Sequence, residues 1–441
     1  VDRGALLYIE GVNGSKRDVT TIAQDTLFIT ADCIPAGSKT IVPFTTPSLP
    51  HHSSFTPQAR IDIVRPCTRE WIESLGMEDF GGDLDYTGWK PTDIELRWDR
   101  TVVDVRGQYV MPGFIDVHTH GALGYDFCDA DPKAVFEFAK AKLAEGVTTV
   151  LPTTLTVSNG ELKAAARNAK AYADAGMPYA KVPGIHLEGP FINVKCCGAQ
   201  NPKFVRKPDI KEVKEIAKIY PVKLISYAVE TEGGDKFAKE CFKAGVVPSC
   251  GHTGAKFADL KKAYKNGLRH MTHFCNQMTP LHHREIGMVG AGFLVEDLNT
   301  EVICDKIHLC PDMLNLIFTR RSLAHVQMIT DSLRCSHCKD GYAFEMGGLK
   351  VLLKGGEARL VEGGNLAGST LWMGMGLKNV HDVTGIPLKD LVRTNSWNQA
   401  IELGWGKTLG KVEKGYIADL VVINPRSWKP SAVFIDGEQR I

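Results

Sequence analysis

The chain has 441 residues, 44% hydrophobic and 23% charged, the balance of a globular protein long enough for one large α/β domain with an accessory part. Its 52 Lys and Arg nearly cancel its 51 Asp and Glu, so the overall field offers no attraction to nucleic acid or an anionic membrane, and any anionic ligand must be held by local groups. No apolar run approaches the roughly 18 residues of a transmembrane helix, a secretory leader pattern is missing, and the 12 cysteines are scattered; a cytosolic protein with reduced thiols is expected.

Residues 1–110 are expected to form the first part of a small β-sandwich domain with a long insertion. Short β-like pieces at 5–10 and 101–105 are separated by Pro, Gly, Ser and Thr; 36–57 has no period and reads as loop, and 66–76 has the pattern of a short helix. From Gly113 onward β-rich runs alternate with amphipathic stretches, the pattern of parallel βα units. The predicted strands are 114–118, 147–151, 182–187, 222–228, 246–250, 269–274, 302–305 and 326–330. Predicted helices between them include 133–145, 160–175, 210–220, 256–264 and 312–320. Eight units point to a TIM-like (β/α)₈ barrel over 111–400. Helical patterns at 371–382 and 388–401 follow. Then 409–423 alternates turn residues with β-formers, and 401–441 is expected to complete the discontinuous β-sandwich with the N-terminal segment. Cys335-Ser336-His337-Cys338 reads as a loop with two free thiols, since a structural zinc needs a second such knuckle.

In such a barrel the chemistry sits at the C-terminal strand ends. Strand one ends in His118 and His120, two residues apart and so on one face; strand three ends at Glu188, strand five at His252, strand six carries His273, and strand eight ends at Asp331. Each alone reads as a structural group. Together, four imidazoles and two carboxylates on one rim suit one or two divalent ions (zinc, iron, cobalt or nickel, with zinc and iron ahead), and without a metal they would be a poorly compensated set of buried polar atoms. Such ions would lower the pKa of bound water from 15.7 towards about 7 and supply hydroxide as nucleophile. Asp331 can act as general acid/base, so hydrolysis of a C–N bond is expected. Asn276, Gln277, Arg284 and the run Asp305-Lys306-Ile307-His308 follow strands six and seven, where a guanidinium fork and an imidazole suit a phosphate or carboxylate. Leu366-Ala367-Gly368-Ser369-Thr370 is small enough for close backbone approach to a ligand.

From about residue 100 to the C-terminus the chain resembles the amidohydrolase superfamily and, within it, the N-acetylglucosamine-6-phosphate deacetylase family. The resemblance rests on Pro112-Gly113-Phe114-Ile115-Asp116-Val117-His118-Thr119-His120-Gly121, His186-Leu187-Glu188-Gly189-Pro190-Phe191-Ile192-Asn193, Gly251-His252-Thr253, Thr272-His273-Phe274-Cys275-Asn276 with Arg284, Thr330-Asp331 and Leu366-Ala367-Gly368-Ser369. Many relatives bridge two metals with a carbamylated lysine after strand four, whereas the deacetylases use a glutamate after strand three. Here strand four ends in Tyr227-Ala228-Val229-Glu230, without a lysine, which argues against a cyclic-amide hydrolase. The resemblance implies Glu188, His252 and His273 as ligands of one metal, His118 and His120 as ligands of a second with Glu188 between them, and Asp331 as catalytic acid/base. It also implies Ala199, Gln200, Asn276, Gln277, Arg284, Asp305 to His308 and Leu366 to Gly368 as the site of a phosphorylated N-acetyl amino sugar. Arg284 is expected to reach in from the other subunit of a homodimer. Gln200 stands where many members have a sugar-contacting histidine, and Gln277 where they have a small residue, which leaves the galactosamine epimer as an alternative substrate. A non-catalytic oligomeric relative is the alternative of another class; a scaffold has no physical need for the full ligand set.

Overall fold

The computed structural model describes residues 105 and 107–441, together with the backbone strands Leu6–Glu10, Leu27–Thr30, Ile63–Val64 and Arg100–Asp104 before them. The expected loop at 36–57 and helix at 66–76 lie outside the described residues. The chain divides into two compact units, one of residues 1–113 and 407–441, the other of residues 114–406.

In the smaller unit the four strands above form one sheet in the order Ile63–Val64, Leu27–Thr30, Leu6–Glu10, Arg100–Asp104. A second, antiparallel sheet is built from distant segments. Leu420–Ile423 pairs on one side with Tyr109–Pro112 and on the other with Pro430–Ile435, which Glu438–Gln439 follows. Val105, Ala418, Leu420, Val422, Ala432 and Phe434 are buried together, so alternate positions of Leu420–Ile423 feed one apolar face.

The larger unit is a (β/α)₈ barrel. Its eight parallel strands run in sequence order: β1 Phe114–Thr119, β2 Val147–Thr154, β3 Ile185–Glu188, β4 Val222–Tyr227, β5 Val247–Cys250, β6 His270–Met271, β7 Asn299–Ile303 and β8 Val326–Ile329. Every residue of β1 and β2 is buried, as strands covered on both faces must be. Where β8 meets β1, the Asp331 N–H donates to the His118 carbonyl and the His120 N–H to the Ser332 carbonyl, each at 2.8 Å. The eight outer helices are α1 Lys133–Ala144, α2 Asn159–Asp174, α3 Ile210–Ala217, α4 Gly234–Lys243, α5 Phe257–Lys265, α6 Gly287–Leu294, α7 Pro311–Arg320 and α8 Met373–Thr384. Local chemistry sets their ends. Ser158 and Glu161 form a reciprocal capping box at the start of α2, Asp209 caps α3 through the Lys211 N–H, and Gly385 at φ +69° ends α8.

Three features differ from the predicted pattern. The expected strand at 269–274 keeps ladder pairing only at His270–Met271, because the chain turns away at His273. The helix expected over 388–401 is broken into Leu388–Leu391, a 3₁₀ turn Val392–Asn395 and Trp397–Glu402, with Ser396 at φ −151°, ψ −76° between the last two. A three-stranded antiparallel sheet of β9 Ala343–Met346, β10 Leu349–Lys354 and β11 Glu357–Leu360 stands between β8 and α8. Cys335 and Cys338 are free thiols, and among the described residues they belong to no cluster able to hold a metal. No helix among the described residues is long and apolar enough to cross a membrane.

Candidate metal centre

His118 lies in β1, His120 one residue beyond its end, and Glu188 at the last position of β3. His252, His273 and Asp331 each lie two residues beyond their strands, at φ +46°, +27° and +49°. Such positive values are uncommon for residues other than glycine, and here they fall on three of the six residues of the metal cluster. At Asp331 the turn also needs Gly368 (φ +54°) close by, since a Cβ there would lie 2.7 Å from the Asp331 carbonyl oxygen.

The six side chains are all buried and meet in two adjoining groups of three; His118 also meets His186 and Glu301. Glu188 Oε1 lies 3.2 Å from His252 Nε2 and 3.1 Å from His273 Nε2, and those two nitrogens are 3.0 Å apart. Ligand atoms about 2.0–2.1 Å from a tetrahedral ion stand roughly 3.3 Å from one another, so these three atoms have the spacing of a ligand set. The second group is His118, His120 and Asp331. Asp331 Oδ1 is 3.1 Å from His120 Nε2 and 3.7 Å from His118 Nε2. Glu188 stands between the groups, with Oε1 3.2 Å from His118 Nε2 and Oε2 3.4 Å from His120 Nε2.

The imidazoles are oriented by their outer nitrogens. Nδ1–H of His118 donates to Glu301 Oε2 (2.8 Å), that of His120 to the Thr153 carbonyl (3.1 Å) and that of His252 to the Cys196 carbonyl (2.8 Å), which turns each Nε2 inward. His118 Nε2 is buried without a hydrogen-bond partner, an orphan that a cation would satisfy. The residues therefore fit a divalent ion. Burial alone would raise the Glu188 pKa, but the neighbouring His118 and His252 imidazoles hold it well below the usual carboxylate range. Asp331 is likewise lowered against its burial, chiefly by its hydrogen bond with His120. Conversely, His118 is held well above its ordinary value by Glu301 and Glu188 despite burial, and His120 is raised by Asp331 and Glu188. Protons on these imidazoles and a divalent ion thus compete for the same place. His186 also lies against His118, but burial pushes it down to about 3, and its nitrogens are engaged by the Val117 carbonyl and Ser226 Oγ.

A cavity of about 310 Å³ opens over the cluster. Of the residues predicted to meet a substrate, Ala199, Gln200, Asn276, Gln277, His308, Leu366 and Gly368 line it. Asp305 acts behind it. Its Oδ2 accepts from His308 Nδ1 at 2.6 Å and its Oδ1 from the His308 N–H at 2.8 Å, raising the His308 pKa against its burial. Lys306, Ile307 and Ala367 are not among the lining residues, and Ala367 is fully buried. Arg284 is exposed, with Nη1 2.5 Å from His283 Nε2, and does not line the cavity of its own chain. Gln200 is drawn into the cluster: its amide donates to Glu188 Oε2 and its oxygen accepts from the Thr156 N–H at 2.7 Å. Sequence reasoning missed Met346 and Arg359, which the β9–β11 sheet carries to the cavity wall, and Glu301 beneath His118. Arg359 and Glu301 lie inside strands rather than at the ends of predicted barrel strands, and Met346 ends a strand outside the barrel sheet, so strand-end reasoning does not reach them.

The sequence pattern of the amidohydrolase family matches residues 109–440. The chain is 35% identical to N-acetylglucosamine-6-phosphate deacetylase of Bacillus subtilis (strain 168) over 320 residues, 71% of this chain and 80% of that protein. It is 30% identical to N-acetylgalactosamine-6-phosphate deacetylase of Escherichia coli O157:H7, over 74% of this chain and 86% of that protein. Among solved structures it resembles N-acetylglucosamine-6-phosphate deacetylase of Thermotoga maritima, with a TM-score of 0.71 and 34% identity over 77% of this chain and 92% of that one. With its barrel and its histidine and carboxylate cluster, the chain belongs to the amidohydrolase family, among the deacetylases of that family.

Proposed function

We propose that the protein is a metal-dependent deacetylase that hydrolyses the acetamide of N-acetylglucosamine 6-phosphate to glucosamine 6-phosphate and acetate. The observation that carries this reading is the convergence of Glu188, His252 and His273 within ligand spacing beside Asp331, on the floor of a cavity large enough for a sugar phosphate. Glu188, His252 and His273 would hold one ion; His118 and His120 would hold a second, with Glu188 shared. When bound, the ions supply a water whose pKa falls towards about 7 and an electrophile for the carbonyl oxygen. Asp331, kept ionised by His120, accepts the proton of the attacking water as the new C–O bond forms and returns it to the amide nitrogen as the C–N bond breaks. Asn276, Gln277 and His308 face the cavity as phosphate and hydroxyl partners, His308 favoured as a cation by Asp305. In a homodimer, Arg284 of the partner subunit would complete the phosphate site.

Kinetics of acetate release from both epimers test this reading. The expected result is a kcat/KM for the glucosamine epimer at least about tenfold above the galactosamine one. A reversed preference would assign the chain the activity carried by the name of its Escherichia coli relative, with Gln200 and Gln277 the residues to examine. Absence of acetate from either substrate would overturn the deacetylase reading.

A further inference from the structure

We infer that Glu301 is the positioning residue of the metal centre, one carboxylate that fixes an imidazole from each ion site. The inference rests on the two-ion reading above and goes beyond its ligand set. Glu301 lies in the middle of β7 and is fully buried, and its side chain meets groups from β1 and β6, so it points into the barrel. Oε2 accepts from His118 Nδ1 at 2.8 Å and from the backbone N–H of His273 at 3.0 Å. Oε1 accepts from His270 Nε2 at 3.0 Å. His270 Nδ1 in turn donates to Glu402 at 2.8 Å, and the Glu402 carboxylate is held by Asn299 Nδ2 (2.8 Å) and Gln327 Nε2 (2.7 Å).

Two consequences follow for the centre. A neutral imidazole whose Nδ1 carries the proton presents the lone pair of Nε2, so the contact with Glu301 selects the tautomer and ring angle in which His118 can bind an ion beside Glu188. The same oxygen ties down the N–H of His273, whose φ of +27° is outside the favoured regions, and so holds the second imidazole where its Nε2 meets Glu188. A buried carboxylate with three donors is an expensive group for a barrel interior that apolar side chains could fill. Pre-setting ligands from β1 and β6 gives it a purpose that packing does not.

The test is the affinity and stoichiometry of zinc binding, measured by chelator competition and elemental analysis, in the full chain and in Glu301→Ala, Glu301→Asp and Glu301→Gln. Wild-type protein should bind two equivalents. Glu301→Ala should weaken binding about 10–100-fold, first in the equivalent that His118 serves. Glu301→Gln keeps an oxygen where His118 Nδ1 and the His273 N–H converge, while His270 can accept the amide; it should retain both equivalents within a few-fold. Should Glu301→Ala fail to fold by circular dichroism, Glu301→Asp carries the test: it keeps the charge, withdraws the contact and should lose affinity as Ala does. Wild-type affinity in the folded Ala or Asp variant, or a loss in Gln equal to that in Ala, would overturn the positioning role. If the wild type binds only one equivalent, its affinity still reads the His273 contact. A wild type that binds no metal would overturn the underlying reading and this one with it, a failure visible before any substitution is made.

Discussion

Asp331 concentrates the chemistry at the scale of single residues. It leaves the end of β8 at φ +49°, faces the cavity, and is held ionised by His120 in spite of its burial. Replacing it by Asn removes the group proposed to accept and return the proton while keeping size and polarity. We expect kcat for acetate release to fall by about 10²–10⁴ with KM changed only a few-fold; a kcat within a few-fold of wild type would remove Asp331 from the acid/base role. Asp331, with Glu188, His118, His120 and His252, could be read from sequence because each closes a β-rich run, and a barrel brings strand ends to one rim. Glu301 could not. It falls just before the predicted strand 302–305, and only the closed barrel reveals that it faces His118. Gln200, expected at the substrate, lines the cavity and also bonds through its amide to Glu188, a contact that depends on the path of the loop after β3.

The elements differ in how directly residue patterns reveal them. β1 and β2 are runs rich in β-formers, and α2 begins at a capping box, so all three stand out. α4 buries Gly234, Phe237, Ala238 and Cys241 at helical spacing, whereas α6, Gly287–Leu294, GMVGAGFL, is rich in glycine and without a polar face, so it lacks the usual helical period. β6 has only two paired residues, yet it carries His270, whose ring links Glu301 to Glu402 of the closing helix Trp397–Glu402. Burial alone would lower the His270 pKa, but Glu402 and Glu301 raise it from 6.5 to about 10. Because the folded value lies above the unfolded one, the stabilisation is complete below about pH 6.5 and is lost as the pH rises through about 10. Melting temperatures of wild type and His270→Gln should therefore differ most near pH 6 and converge by about pH 10. A difference that stays constant across this window would show that His270 is not held as a cation.

At the scale of the whole molecule, the alternation of strands and helices revealed the barrel, and the resumption of β structure after residue 409 pointed to the sheet that pairs Leu420–Ile423 with Tyr109–Pro112. The β9–β11 sheet lies outside the βα alternation, although β10, LKVLLK between Gly347-Gly348 and Gly355-Gly356, alternates as a hairpin strand does. The proposed dimer makes a prediction that a monomer cannot meet. Arg284→Ala and Asp331→Asn proteins, each nearly inactive, should recover about a quarter of wild-type activity when dissociated and reassociated together, since half of the dimers would carry one intact site. No recovery on mixing, with dimers present by sedimentation, would place Arg284 outside its partner's site. The most direct test of the central claim is acetate release from N-acetylglucosamine 6-phosphate by chelated protein titrated with zinc or ferrous iron. Activity should be absent without metal, rise with the first equivalents and saturate by two; acetate release that is undiminished in the metal-free protein would contradict the account.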